Sequence, residues 1–212
     1  MKKIAIALMC MIMVTGTALA QKTFTIGPKV GVDYTNYWGK GAEHGGQLNY
    51  QAGLFMEYRF NDRFSVAPEV VFAAQGGKYE IKRLDDYYKD TDHINYINVP
   101  VMLKFYVTPE LSIDLGPQVG FNVYSKNTAV LKEGGEKEKI KTDLKDYTKS
   151  VDFGVGLGLT YNITDEVFVQ GRYTMGLTKV FDTKDYDKVV LEILGFNNPK
   201  HANGQIAIGF RF

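Results

Sequence analysis

Cysteine is almost absent from the 212-residue chain, and neither sign of charge predominates. The single cysteine, Cys10, lies in a segment expected to be removed, so the mature protein is predicted to have no disulfide, free thiol or cysteine metal site. The chain carries 25 basic and 24 acidic residues, and this mixed balance excludes the basic footprint of a nucleic-acid-binding protein. Apolar runs fall short of the roughly 20 residues that a transmembrane helix needs. No linker rich in proline or serine divides the chain, so one domain is expected.

The amino-terminal residues have the three parts of a secretory signal peptide. Lys2 and Lys3 form the charged start, residues 4–14 form the apolar run, and the small-residue site Ala18-Leu19-Ala20 precedes Gln21. We therefore expect export and cleavage between Ala20 and Gln21, with an uncleaved membrane anchor as the alternative. The predicted organisation is a signal peptide at residues 1–20 and a β-barrel domain at residues 21–212.

The rest of the chain alternates apolar and polar residues in eight segments, which is the period of a β-strand. Several segments exceed the roughly 9–11 residues that cross a membrane at a tilt. Short connections at 61–63, 108–110 and 164–166 alternate with long ones near 35–47, 75–94, 125–150 and 178–203. Short periplasmic turns and long extracellular loops are typical of outer-membrane barrels. The predicted strands are Thr23–Tyr34, Leu48–Phe60, Phe64–Ala74, Asn95–Val107, Leu111–Tyr124, Val151–Ile163, Val167–Leu177 and Gly204–Phe212.

The two faces of these strands differ in a way that favours a membrane barrel over a soluble one. One face is apolar, with aromatic residues near both strand ends, as in the two aromatic girdles of a membrane barrel. The other face mixes charged residues with many glycines. Because glycine weakens a strand, it is better explained by a crowded lumen than by exposure to water. An eight-stranded barrel is about wide enough for its own side chains, so a packed interior is expected. The predicted lumen charge network is Glu57, Arg59, Glu69, Lys104, Asp114, Asp152, Arg172 and Arg211.

Turn length predicts the register of neighbouring strands. A three-residue turn at 108–110 pairs Val107 with Leu111 and therefore places Lys104 opposite Asp114. The turn at 164–166 likewise places Gly158 opposite Arg172. Since buried charges persist when they are paired, we expect an ion pair between Lys104 and Asp114.

The last strand has apolar residues at every second position and an aromatic residue at the end of the chain. Such a strand is expected to close the sheet and to carry the signal that the barrel-assembly machinery reads. Removing Phe212 is then expected to prevent membrane assembly, whereas a soluble carrier would fold nearly unchanged. The residues of this predicted assembly signal are Ile206, Ile208, Phe210 and Phe212.

Several motifs resemble those of the porin-family outer-membrane β-barrels common in Bacteroidota, a group that includes PorT-like proteins and is related in architecture to OmpA/OmpX-type barrels. The motifs are Glu57-Tyr58-Arg59-Phe60, Phe64-Ser65-Val66-Ala67-Pro68-Glu69, the segment Ile97–Tyr106, Leu115-Gly116-Pro117-Gln118-Val119-Gly120-Phe121 and the closing strand. The resemblance covers the mature chain. It implies an all-β, eight-stranded antiparallel transmembrane barrel in a Gram-negative cell envelope. The family name implies a channel, whereas the strand count favours a packed lumen.

Candidate catalytic and metal-binding residues are few and fall in the expected external loops. His44, His93 and His201 could meet on one rim, but their spacing matches no metal motif. The pairs Asp85-Asp86 and Asp92-His93 invite a protease interpretation, and Ser125 a hydrolase one. A short amphipathic helix is possible within Asp185–Leu194. No supporting motif accompanies any of them, so neither an enzyme nor a cofactor is expected.

The function predicted from the sequence is a non-enzymatic outer-membrane protein whose extracellular loops serve envelope integrity, adhesion or partner binding. Its expected partners are outer-membrane lipids, lipopolysaccharide and the barrel-assembly machinery, together with an unidentified extracellular or secretion-system protein. The charged loop 125–150 and the tyrosine-containing loop 75–94 suit such contacts. The alternatives are a narrow channel for small solutes or ions and a PorT-like secretion accessory.

Overall fold

The computed structural model describes residues 23–39, 45–83, 86–133, 136–145, 148–180 and 199–212. No helix in these ranges is both long and apolar enough to span a membrane. Within them the chain forms ten β-strands: β1 (Phe24–Trp38), β2 (Gln47–Arg59), β3 (Phe64–Gln75), β4 (Lys78–Arg83), β5 (Asp86–Tyr106), β6 (Leu111–Glu133), β7 (Glu136–Asp143), β8 (Val151–Asn162), β9 (Val167–Gly176) and β10 (Lys200–Phe210).

Eight of the described strands close into an antiparallel barrel. The order around the barrel is β1-β2-β3-β5-β6-β8-β9-β10, and β10 returns to pair with β1. That closing seam runs from Lys29↔Gly209 to Trp38↔Lys200. Closure gives every barrel strand a hydrogen-bonded neighbour on both sides, which a sheet in a lipid bilayer requires. The predicted fold class is confirmed.

Short turns join β2 to β3, β5 to β6 and β8 to β9 at one rim, and a side-chain oxygen closes each of them. Asn61 Oδ1 accepts the N–H groups of Arg63 and Phe64, both at 2.9 Å. Thr108 Oγ1 accepts the N–H of Leu111, and Thr164 Oγ1 that of Val167. Asn and Thr favour turns because they form such local bonds.

β5 and β6 continue beyond the barrel and form part of a four-stranded outer sheet. The sequence predicts solvated loops at 75–94 and 125–150, the second of which extends the strands outwards. β4 pairs with β5 from Lys78↔Thr91 to Arg83↔Asp86, and β7 pairs with β6 from Lys126↔Asp143 to Glu133↔Glu136. We call β4, residues 86–95 of β5, residues 124–133 of β6, and β7 the outer sheet. It stands on one side of the rim that carries the long connections.

A β-bulge at Val123 separates the barrel part of β6 from its part in the outer sheet. The pairing with β5 shifts between Asn95↔Tyr124 and Tyr96↔Asn122, which leaves Val123 without a counterpart. Val123 and Tyr124 both face outwards, with 40% and 41% exposure, and Ser125 is buried. The bulge therefore reverses which positions of β6 face outwards.

The barrel has an apolar exterior and a polar interior, as expected for membrane strands. Outward aromatic rings pack in pairs near the short-turn rim, with Tyr58–Phe60 at 5.3 Å and Phe64–Phe105 at 5.2 Å between ring centroids. Lysine, arginine, aspartate and glutamate side chains are buried inside the lumen. Candidate functional residues therefore lie in two places, the closed lumen and the external rim.

Candidate functional site: the lumen and the external rim

Glu57 on β2 organises the layer of the lumen nearest the short turns. Its carboxylate forms an ion pair with Lys104 Nζ at 3.1 Å and lies 3.7 Å from the guanidinium of Arg211. Ser65 Oγ donates to it at 2.8 Å, and the Tyr106 hydroxyl also donates to it. One buried carboxylate is thus matched by two cations and two hydroxyl groups.

Glu69 on β3 organises the middle layer. Its carboxylate accepts hydrogen bonds from Lys29 Nζ at 2.7 Å and from both terminal nitrogens of Arg172 at 2.6 and 3.0 Å. Lys29 donates a further bond to Gln170 Oε1 at 2.9 Å. All four side chains are buried. Because these residues stand on β1, β3 and β9, the ion pairs span the lumen and join opposite walls.

Asp114 on β6 has neutral hydrogen-bond donors. Ser112 Oγ donates at 2.7 Å, Thr160 Oγ1 at 2.5 Å and Gln170 Nε2 at 3.1 Å. The predicted registers Lys104↔Asp114 and Gly158↔Arg172 are confirmed. The predicted ion pair is wrong, since Lys104 turns to Glu57 among the described side chains. The Asp114 carboxylate is satisfied instead by the three neutral donors.

The remaining members of the predicted lumen network lie nearer the ends of the barrel. Arg59 is half-buried, with its guanidinium 4.0 Å from the centroid of Tyr106. Arg211 lies 4.5 Å from the Phe168 ring and donates to Asn162 Oδ1 at 2.8 Å. Asp152 is half-buried. The network therefore consists of separate layers, each with its own central carboxylate.

Apolar side chains also lie in the lumen, and the alternation predicts this inward position for Phe55 and Phe168. Phe55 and Phe168 meet edge to face across the interior, 5.0 Å between centroids. At the end near the long connections, Tyr37, Ile94, Tyr96 and Val180 form a buried cluster that we call the lid. His201 packs against the lid, with its ring 5.4 Å from both Tyr37 and Tyr96. In the sequence, such residues are recognisable as aromatic residues at positions that alternate inwards.

The candidate catalytic and metal-binding residues are not brought together within the described part of the chain. His201 is buried against the lid, whereas His93 is exposed on the outside, and no described group of three His, Cys, Asp or Glu could hold a metal ion. Asp92 is buried and accepts a hydrogen bond from Asn127 at 3.0 Å, so the neighbours Asp92 and His93 face opposite ways. Ser125 exchanges hydrogen bonds with Asn122. Ala18, Ala20, Gln21, His44, Asp85 and the expected helix within 185–194 lie outside the described residues.

The predicted assembly-signal residues lie along the outer face of the barrel. Ile206, Ile208 and Phe210 alternate outwards along β10, and Phe212 follows them with its ring 5.2 Å from that of Phe210. The Phe212 N–H donates to the carbonyl of Ile26 on β1. The end of the chain is thereby joined to the first strand of the barrel.

An apolar exterior, a charged interior and a closed ring of antiparallel strands define an integral outer-membrane β-barrel. Residues 19–182 match the family described as the outer membrane protein beta-barrel domain. The chain belongs to this family, and the protein is located in the outer membrane.

Solved structures with the same fold have low sequence identity to this chain. The attachment invasion locus protein Ail of Yersinia pestis is 13% identical, with 90% of this chain and 99% of that chain covered and a TM-score of 0.45. Neisserial surface protein A (NspA) is 15% identical, with 89% and 97% covered and a TM-score of 0.42. OprG of Pseudomonas aeruginosa is 13% identical, with 89% and 95% covered and a TM-score of 0.35. No curated protein sequence matches this chain significantly.

Proposed function

We propose that this protein is a non-enzymatic, non-conducting barrel that holds an external surface for envelope integrity, adhesion or partner binding. The observation that carries the proposal is the layered closure of the described lumen. The Glu57 layer, the Glu69 layer and the lid each block the interior with buried, mutually bonded side chains. A solute would have to break ion pairs that are costly to separate away from water.

The outer sheet is the part of the proposed scaffold that reaches a partner. It extends two barrel strands beyond the rim and places exposed charged residues of β7 outside. Outer-membrane lipids and lipopolysaccharide are the nearest candidate ligands, and an extracellular or secretion-system protein is a more distant one. The resemblance of several motifs to those of Bacteroidota barrels supports a PorT-like accessory role as a more specific form of the same proposal.

Export and assembly complete the proposal. Cleavage between Ala20 and Gln21 would release the mature chain, and the barrel-assembly machinery would recognise Ile206, Ile208, Phe210 and Phe212. All four side chains are exposed on the outer face of the barrel, and this supports the assignment because the machinery could contact them together.

Single-channel recording in a planar bilayer tests the non-conducting scaffold. Folding is first verified by the difference in gel mobility between unheated and boiled samples. Folded wild-type protein is expected to give no discrete current steps. The combined variant Glu69→Ala/Arg172→Ala/Tyr96→Ala, which removes side chains from both the middle layer and the lid, serves as the opening control. Reproducible steps from the wild type would refute the proposal and favour the narrow channel, with Lys104, Asp114, Arg172 and Arg211 lining its path.

A further inference from the structure

A groove opens on the outside of the barrel where β2 and the outer sheet diverge. β2 pairs with β3 only as far as Gln51, so its upper residues face a gap that is open to solvent. Leu48 and Tyr50 form one wall and are 71% and 61% exposed. His93 and Tyr124 form the other wall. Both walls therefore present apolar or aromatic groups at the outer edge of the membrane-facing surface.

An amide side chain accompanies these rings inside the groove. Asn95 lines the groove from the wall of the outer sheet, whereas the Asn49 amide is bonded to Gln47 and Thr35 on the other side of β2. An amide both donates and accepts hydrogen bonds, and a tyrosine ring offers an apolar face with a polar tip. Sugar rings need this combination, because their C–H faces pack on aromatic rings while their hydroxyl groups bond to amides.

A lysine-rich face of the outer sheet continues directly from the groove. The strand register places Lys126 on the same outward side as Lys89, Lys139 and Lys141. Strand spacing and residue rise place these four lysines within about 15 Å of one another. Asp143, the cross-strand neighbour of Lys126, is the acidic residue among the described side chains of this face. The register also places Glu80 opposite Lys89, and the described side chains of this face carry a net positive charge that would attract anions.

The bulge at Val123 joins the groove to this lysine-rich face. By turning Tyr124 outwards, it brings Lys126 to the same side, and Lys126 Nζ lies 5.2 Å from the centroid of Tyr124. The outward residues below the bulge, such as Phe121, are apolar and face lipid. The lysines therefore lie just beyond the apolar band, at the level of the lipid headgroups. Tyrosine is enriched at this boundary between membrane and water.

From the groove and the lysine-rich face together, we propose that this surface binds the phosphorylated saccharide headgroup of an outer-leaflet glycolipid. The sugar occupies the groove between Tyr50 and Tyr124, and its phosphates contact Lys126 and Lys141. This inference rests on the proposed function, since it names one ligand of the external surface. Lysines close to an anionic lipid surface contribute to binding through charge attraction.

The test compares binding of diphosphoryl lipid A to the folded barrel and to Lys89→Gln/Lys126→Gln/Lys141→Gln, measured by native mass spectrometry from a mild detergent. The variant is expected to bind roughly 10- to 100-fold more weakly, from the effect of each lysine near an anionic surface. Tyr124→Ala is expected to weaken binding and to preserve the preference for the phosphorylated lipid. Gel mobility confirms that each variant is folded.

A matched control is Lys149→Gln/Lys179→Gln/Lys200→Gln, which removes the same charge from the same rim outside the lysine-rich face. An equal loss in this control would overturn the proposal, as would no loss in the test variant. Displacement of lipid A by millimolar inorganic phosphate would show a free-phosphate site and would also overturn it. The conductance measurement on the wild type tests the closed lumen and does not depend on these external lysines. A failure of the scaffold proposal would therefore be distinguished from a failure of the lipid-binding proposal.

Discussion

Replacing Glu69 with glutamine removes one charge from the centre of the barrel and leaves the side-chain shape nearly unchanged. The two buried cations, Lys29 and Arg172, then face each other without the carboxylate that holds them at 2.7 and 2.6 Å. Removing one partner of a buried ion pair destabilises a protein by about 3–5 kcal/mol. Because Glu69 serves two cations, we expect Glu69→Gln to lower the free energy of unfolding by about 5 kcal/mol, at the upper end of that range.

Equilibrium urea unfolding in lipid vesicles measures this change through the fluorescence of Trp38, which is the single tryptophan of the chain. Arg59→Gln is the control: its guanidinium is half-buried over a ring, so the loss should be about 1 kcal/mol. The triple variant Lys29→Met/Glu69→Met/Arg172→Met should recover most of the stability, since apolar groups can replace a buried ionic cluster at little cost. A loss below about 1 kcal/mol for Glu69→Gln would refute a dry, ion-paired middle layer.

Other variants test the packing of the wall, the interior and the lid. Gly116→Ala should fail to fold in a gel-mobility assay, because a Cβ there would lie 2.0 Å from the Val101 carbonyl oxygen, whereas Gly171→Ala meets no atom within 4 Å and should fold. Equal folding of the two would contradict the close strand approach. Phe168→Ala should lose about 3–5 kcal/mol in urea unfolding, because its ring fills the lumen against another aromatic ring; a loss below about 1 kcal/mol would mean that the interior is loosely packed. Tyr96→Ala should remain silent in planar bilayers since two ionic layers persist beneath the lid, and current steps would show that the lid alone closes the lumen.

The barrel could be predicted from the sequence because its signals are local and repetitive. Alternation within strands such as β8 and the three-residue turn at 164–166 each depend on a few neighbouring residues, and together they specify register. The pairing Gly158↔Arg172 followed from that turn alone. The alternation and the aromatic end of the last strand predicted the closure of the sheet.

The partners inside the lumen could not be predicted, because they depend on distances across the barrel. Lys104 stands opposite Asp114 in the sheet, yet its ammonium group binds Glu57. Pairing rules describe adjacent strands, whereas a long side chain in a narrow lumen can select a partner on another wall. The same reason explains the unforeseen contact between Phe55 and Phe168.

The outer sheet was not predicted as a sheet because its composition resembles that of a loop. Its strands are rich in charged residues, which are typical of solvated loops, and this bias outweighed the weak alternation in β7. The bulge at Val123 also interrupts the inward–outward pattern at the point where the barrel ends. The sequence signal that distinguishes the continuing β6 strand from a loop is therefore Val123, after which the inward–outward alternation is shifted by one residue.

The continuity of β5 and β6 has a mechanical consequence. A force applied to the outer sheet along these strands loads their paired backbone hydrogen bonds in shear, so that many bonds resist together. The ladder runs from Tyr87↔Lys132 outside to Tyr106↔Ser112 at the opposite rim, and the bulge at Val123 is where its pairing shifts. The ladder is interrupted at the bulge, so a force on the β4–β5 or β6–β7 hairpin should separate the outer sheet first. The paired strands of the membrane-embedded wall below the bulge should then stay closed.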